Sequence, residues 1–139
     1  RAVERGLPTV AECGGFLYLQ KTLCDADGCC DWEMAGVFSG RAANTGKLGR
    51  FGYIGVTART DGLLCRAGEG FPAHEFHYWD STTPGTDFHA QKPQSDRGWD
   101  CAFHTPTLYA GFPHFHFWAR PELARNFVAA ARRQQEALL

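Results

Sequence analysis

The sequence predicts an α/β fold built on a mixed sheet, and three features predict it. The β-prone, apolar run Thr9-Val10-Ala11 leads into a cysteine and two glycines, and a helical pattern begins at once. Apolar and polar residues alternate between Gly52 and Ala58, and an aromatic run extends from Leu108 to Trp118; both read as strands. An amphipathic segment starts at Pro121. Strands with one helix after the first of them and another at the end favour an α/β class.

Taken in order, Pro8 to Cys13 reads as a short buried strand. Gly14 to about Leu23 is predicted as a helix, because Phe16, Leu19 and Leu23 share one face. Asp25 to Asp31 is a turn region, and Met34 to Ser39 alternates as a strand. In the strand from Gly52 to Ala58, Ile54, Val56 and Ala58 lie opposite Tyr53, Gly55 and Thr57. Asp61 to Gly70 is a glycine-bounded segment around Leu63 and Leu64, and His74 to Tyr78 is a strand. Ser81 to Arg97, rich in Pro, Gly, Thr and Asp, predicts an exposed loop or hairpin. The helix from Pro121 to about Leu138 has proline at its first position and Glu122 at its positive end. Leu123, Phe127, Val128 and Ala131 form its apolar stripe.

A chain of 139 residues fits one domain, and 44% hydrophobic residues suffice for a packed core. The net charge of −1, with no long run of one sign, gives no footprint for nucleic acid or a membrane surface. No apolar run approaches the ~18 residues of a membrane span. The N-terminus lacks the pattern of a signal peptide. Six irregularly spaced cysteines suit a reduced, cytoplasmic protein better than a disulfide framework. The chain opens without methionine, almost directly on a strand, so a piece of a longer polypeptide is expected.

Cys13 is the leading candidate for chemistry. A cysteine on a tight strand-to-helix turn, followed by Gly14 and Gly15, has the layout of a nucleophile elbow. The Gly14 amide is placed to donate to an oxyanion. A helix start favours the thiolate, so a lowered thiol pKa is expected. The bland alternative is a buried structural cysteine. A thiolate nucleophile needs a histidine from elsewhere in the chain, and His114 and His116 are the candidates. In one strand they would face the same way, and residue spacing does not choose between them.

His74-Glu75-Phe76-His77 is one residue short of the zinc-protease His-Glu-x-x-His pattern. In a strand its histidines point to opposite faces, which argues against joint ligation. Cys24, Cys29 and Cys30 have poor zinc spacing, so no metal site is expected. Cys65 and Cys101 receive no role, and His89 and His104 read as solvent-facing. There is no Gly-x4-Gly-Lys-Ser/Thr phosphate loop.

Four motifs together resemble the glutaminase half of the cobyrinic acid a,c-diamide synthases, in the cobalamin-pathway branch of the class I glutamine amidotransferases. They are Ala11-Glu12-Cys13-Gly14-Gly15-Phe16-Leu17-Tyr18-Leu19, Arg50-Phe51-Gly52-Tyr53, His74-Glu75-Phe76-His77-Tyr78 and Tyr109-Ala110-Gly111-Phe112-Pro113-His114-Phe115-His116-Phe117. The likeness extends to about Val128. Pro72-Ala73 departs from the Arg-Gly that often precedes His-Glu-Phe-His in the family.

The resemblance implies a flavodoxin-like mixed sheet of the class I amidotransferase type, incomplete at its N-terminal side. It implies that residues 1–139 are part of that domain, without its upstream strands and without an N-terminal ATP-binding synthetase domain. It further implies that Cys13 attacks glutamine, forms a γ-glutamyl thioester and releases ammonia. By the family pattern His114 activates Cys13, with His116 the second choice. The glutamate expected two residues after the histidine is replaced by His116, which leaves a Cys–His dyad. Glu75 is not an obvious substitute, and His-Glu-Phe-His is expected to be structural or interdomain. ATP and Mg²⁺ would serve the absent domain in amidating the a and c carboxylates of cobyrinate or hydrogenobyrinate. The partners implied are glutamine and a corrinoid dicarboxylate, and a homo-oligomer is compatible with the sequence. The isolated chain is expected to have weak synthase activity or none. Three other readings compete: the same module of a nickel-sirohydrochlorin a,c-diamide synthase, a non-catalytic amidotransferase-like module, and a zinc-binding domain.

Overall fold

The computed structural model describes residues 1–137. The chain forms β1 (Thr9–Glu12), the short helix α1 (Gly14–Tyr18), β2 (Thr22–Cys24), β3 (Asp31–Glu33), β4 (Arg41–Asn44) and β5 (Arg50–Ala58). It continues with β6 (Gly70–His77), β7 (Trp79–Ser81), β8 (Phe88–Gln91), β9 (Gly98–Cys101) and β10 (Phe103–Thr105). β11 (Leu108–Gly111), β12 (His114–Phe115) and α2 (Pro121–Glu136) complete it.

The strands form three sheets rather than one. In the first, β1 runs parallel to β11, and β10 is antiparallel to β11. The second has the antiparallel order β12-β6-β5-β8-β9, and the third the order β3-β2-β4-β7 with β2 and β4 parallel. Mixed pairing of the expected kind is thus present in the first and third sheets. The aromatic run from Leu108 is split between two sheets at Phe112-Pro113. Proline has no N–H to continue a ladder, so the chain leaves β11 there and enters β12 beside β6. The Tyr109 hydroxyl donates to the Pro113 carbonyl at 3.0 Å and pins this crossing.

Tertiary pairing overrides several local preferences. The first helix stops at Tyr18 instead of reaching Leu23, because Thr22–Cys24 is held between β3 and β4 by ladder bonds. The segment from Met34 to Ser39 is a loop rather than a strand. Its amides serve the preceding turn, with Ala35, Gly36 and Phe38 donating to the carbonyls of Tyr18, Gln20 and Leu19. Gly36 takes a left-handed φ of 67°, which breaks strand geometry. The segment from Ser81 forms the expected hairpin, β8 with β9, but not the expected exposure: Phe88 and Ala90 are fully covered where β8 lies between β5 and β9. The alternation in β5 is as expected, with Ile54, Val56 and Ala58 inward.

On α2 the buried residues are Leu123 and Ala130, with Phe127 packed between them, so the stripe runs at i, i+4 and i+7. Val128 and Ala131 lie on the exposed side. Leu138, the expected end of this helix, is outside the described residues. No helix among the described residues is long and apolar enough to cross a membrane.

His104 is buried, contrary to its expected exposure. Its Nε2 accepts the Leu64 N–H at 3.1 Å, and its Nδ1 lies 3.2 Å from the Thr60 carbonyl, the pattern of a neutral ring donating from Nδ1. Burial pushes its pKa down, against the opposing effect of the Thr60 contact. Gly62 is needed there, because a Cβ would fall 2.6 Å from the imidazole. His89 is half-exposed and pairs with Asp100 at 2.9 Å. Beneath the first helix lies a separate small core: Phe16 is fully buried and meets Phe38, Phe103 and Phe112 at centroid distances of 5.8, 6.2 and 5.2 Å.

Candidate active site

β1 delivers Cys13 to the end of the first sheet. The Cys13 amide donates to the Gly111 carbonyl at 2.8 Å, so the turn is clamped to the end of β11. Cys13 then adopts φ 48°, a left-handed conformation that non-glycine residues rarely take. Its carbonyl accepts the Leu17 N–H at 2.9 Å, which starts α1. A strained residue between a strand end and a helix start is the geometry of a nucleophile elbow. Apart from its chain neighbours and its own helix backbone, no atom lies within 4 Å of where a Gly14 Cβ would be, so the space on that side of the turn is open.

β12 brings His114 to the same region. His114 is in register with His74, and Phe115 with Ala73. Phe115 and Ala73 are buried, so His114 and His74 share the outward face. A cleft of about 520 Å³ opens on this face, lined by Tyr53, Pro72, Ala73, His74, His114, His116 and Ala119. His116 lies beyond β12, exposed, in a turn closed by the Ala119 amide on the His116 carbonyl at 2.9 Å. The two histidines therefore do not occupy equivalent strand positions.

Glu12 connects the two elements. Its Oε1 accepts the Phe115 N–H at 2.9 Å, and its Oε2 lies 3.7 Å from His114 Nδ1. Burial raises the Glu12 pKa, while the Phe115 amide and His114 pull it down. Glu12 falls within the Ala11–Leu19 motif, which by itself assigns it no role. The missed signal is a carboxylate inside an apolar strand, which needs a polar partner once buried.

The Cys13 thiol differs from expectation. Its pKa is raised, first by burial and then by the carboxylates of Glu12 and Glu75. The Gly14 N–H favours the thiolate but does not outweigh them. Burial is the largest influence, the charges of Glu12 and Glu75 add to it, and α1 has only five residues to set against them. The thiol contact is with the Phe76 carbonyl, at 4.0 Å. A raised pKa keeps the ligand-free thiol protonated at neutral pH. Alkylation of the Cys13 peptide by iodoacetamide, followed by mass spectrometry, is therefore expected to accelerate about tenfold per pH unit from 7 to 9. A rate already level below pH 7 would contradict this.

The other half of the His-Glu-Phe-His strand points inward. Glu75 and His77 are buried, with Glu75 Oε2 3.7 Å from His77 Nε2. His77 Nδ1 contacts the Trp79 carbonyl at 2.6 Å, and its ring stacks on Phe112 at 3.9 Å. As the strand reading requires, His74 and His77 lie on opposite faces. Cys65 and Cys101 are buried, and burial pushes each thiol up to about 12. Among the described residues, no group of three or more His, Cys, Asp or Glu is disposed to hold a metal ion.

A strained cysteine after β1, a histidine on β12 and the four motifs that contain them are accounted for by a single family. Residues 1–122 match the CobB/CobQ-like glutamine amidotransferase domain, and the chain belongs to that family. Among individual proteins it is similar to cobyrinate a,c-diamide synthases. It is 37% identical over 137 residues to that of Salmonella typhimurium, covering 95% of this chain and 29% of that protein. It is 33% identical over 129 residues to that of Caldanaerobacter subterraneus subsp. tengcongensis, covering 91% of this chain and 28% of that protein. It is 32% identical over 148 residues to that of Priestia megaterium, covering 99% and 31%. The chain thus spans under a third of the length of these relatives.

Proposed function

We propose that this chain is the glutaminase part of a cobyrinate or hydrogenobyrinate a,c-diamide synthase, a glutamine-hydrolysing amidoligase of cobalamin biosynthesis. The single observation that supports it most is the strained elbow at Cys13, set at the end of β1 beside the strand that carries His114. The Cys13 sulfur attacks the side-chain amide carbon of glutamine while its proton passes to His114. The Gly14 N–H donates to the oxyanion as it forms. His114 returns the proton to the departing nitrogen, the C–N bond breaks, and ammonia leaves. Water then adds to the γ-glutamyl thioester, the C–S bond breaks, and glutamate is released with the thiol restored.

In this reading the ammonia amidates the a and c carboxylates of a corrinoid. ATP and Mg²⁺ would supply the activation of those carboxylates, held by a synthetase domain rather than by the described residues. The sequence has no Gly-x4-Gly-Lys-Ser/Thr loop, and among the described residues no group of three or more His, Cys, Asp or Glu is disposed to hold a metal ion. The flavodoxin-like sheet of the class is completed, on this proposal, by segments outside the chain.

The test is treatment of the full-length protein with 6-diazo-5-oxo-norleucine, a glutamine-analogue electrophile, alongside an assay of glutamate released from glutamine. Glutamine-protectable labelling of the Cys13 peptide together with glutamate release is expected. Labelling elsewhere, or neither signal, would overturn the proposal.

A further inference from the structure

We infer that Glu12 is the carboxylate that positions His114, so that the site is a triad whose third member comes from the strand before the nucleophile. The inference rests on the glutaminase reading above. The sequence puts histidine, not a carboxylate, two residues after His114. The fold supplies one from another direction.

Glu12 is the last residue of β1, in register with Gly111 of β11. Its side chain leaves that sheet and crosses to β12. Oε1 is committed to the Phe115 N–H at 2.9 Å, which fixes the plane and reach of the carboxylate. Oε2 is thereby directed at His114 Nδ1, 3.7 Å away. The carboxylate is 24% exposed and the imidazole 41%, so the pair sits at the edge of the site, half out of water. At 3.7 Å this is an ion-pair distance rather than a hydrogen bond. Catalytic contacts of this kind commonly shorten when substrate binds.

The chemical consequence lies in the tautomer. A carboxylate facing Nδ1 holds the proton on that nitrogen and leaves Nε2 unprotonated, free to take the thiol proton. It also stabilises the imidazolium that forms. Other groups surround the pair: His74 from the register position on β6, Tyr53 beside it and His116 beyond β12 line the same cleft, while the charge of Glu12 also acts on Cys13, as does that of the inward-facing Glu75. Of these, Glu12 is the acidic residue in ion-pair contact with His114.

The decisive variant is Glu12→Gln. Its carbonyl oxygen can keep the Phe115 N–H bond, so a merely structural tie survives. Its amide N–H₂ then faces Nδ1 and favours the wrong tautomer. Glutamine hydrolysis by the full-length protein should fall roughly 10- to 100-fold in kcat with KM little changed. That is less than the ~10⁴-fold loss from the same change at a buried, hydrogen-bonded triad carboxylate. Glu12→Asp should recover part of kcat. If Glu12→Gln does not fold, ¹⁵N NMR of the His114 ring in the unaltered protein decides: a neutral ring protonated on Nδ1 supports the inference, and one protonated on Nε2 overturns it. Wild-type kcat in Glu12→Gln also overturns it. The underlying reading fails separately, if Cys13→Ala retains glutamine hydrolysis.

Discussion

Replacing Cys13 by alanine should abolish glutamine hydrolysis, lowering kcat by at least about 10³-fold, as loss of a covalent nucleophile does. The remaining thiols offer no substitute. Cys24, Cys65 and Cys101 are buried, and Cys29 and Cys30 lie exposed on the turn between β2 and β3. The backbone should tolerate the change, since alanine keeps the same φ preference as cysteine at a position already held at 48° by the clamp to Gly111. Cys13→Gly should be equally inactive yet more stable in urea unfolding, by about 1 kcal/mol, because glycine occupies a left-handed φ without strain. Glutamate release from glutamine, with circular dichroism to verify folding, provides the measurement. Activity within tenfold of wild type in Cys13→Ala would remove the covalent mechanism.

His114→Asn should lower kcat by about 10²- to 10⁴-fold, the range expected for losing a general acid–base. His116→Asn should cost about tenfold or less. The asymmetry follows from position. His114 is held in β12 opposite His74, with Nδ1 turned toward Glu12. His116 is past the end of that strand and exposed. Steady-state assays of both variants at several pH values check the ranking. A larger loss at His116 than at His114 would exchange their roles.

How much of this was legible beforehand varies by element. The elbow was legible because its features are contiguous: an apolar strand, a cysteine and two glycines dictate a tight exposed turn whatever surrounds them. β5 was legible because one face of it is buried and the other is not, and that difference is written as alternation. The terminal helix was legible from Pro121 and its spacing, although α2 turns Ala130 inward rather than Val128 or Ala131. The turn after Asp25 and the hairpin of β8 with β9 were legible from their turn residues, but the strand at Thr22–Cys24, the loop from Met34 to Ser39 and the burial of Phe88 and Ala90 were not. Their conformation is set by strands distant in sequence, and local propensity loses to ladder bonds and burial. The burial of His104 is hidden for the same reason, since polar neighbours in sequence do not reveal the Thr60 and Leu64 backbone groups that enclose it.

The sequence by itself determined the chemistry available to this protein. It specified a cysteine on a glycine-lined turn, two candidate histidines and a family whose motifs appear in order, because reactivity resides in residue type and short spacing. Only the tertiary structure decided how those groups are arranged. Proline at 113 breaks β11 from β12, so His114 and His116 lose the equivalence that a continuous strand would give them. The parallel pairing of β1 with β11 puts Glu12 beside β12, across a sequence separation of about a hundred residues. Burial and two nearby carboxylates, which no local pattern expresses, raise the Cys13 thiol where a helix start alone would have lowered it. Electrostatics and proton placement depend on distances through space, and those exist only once the sheets have formed.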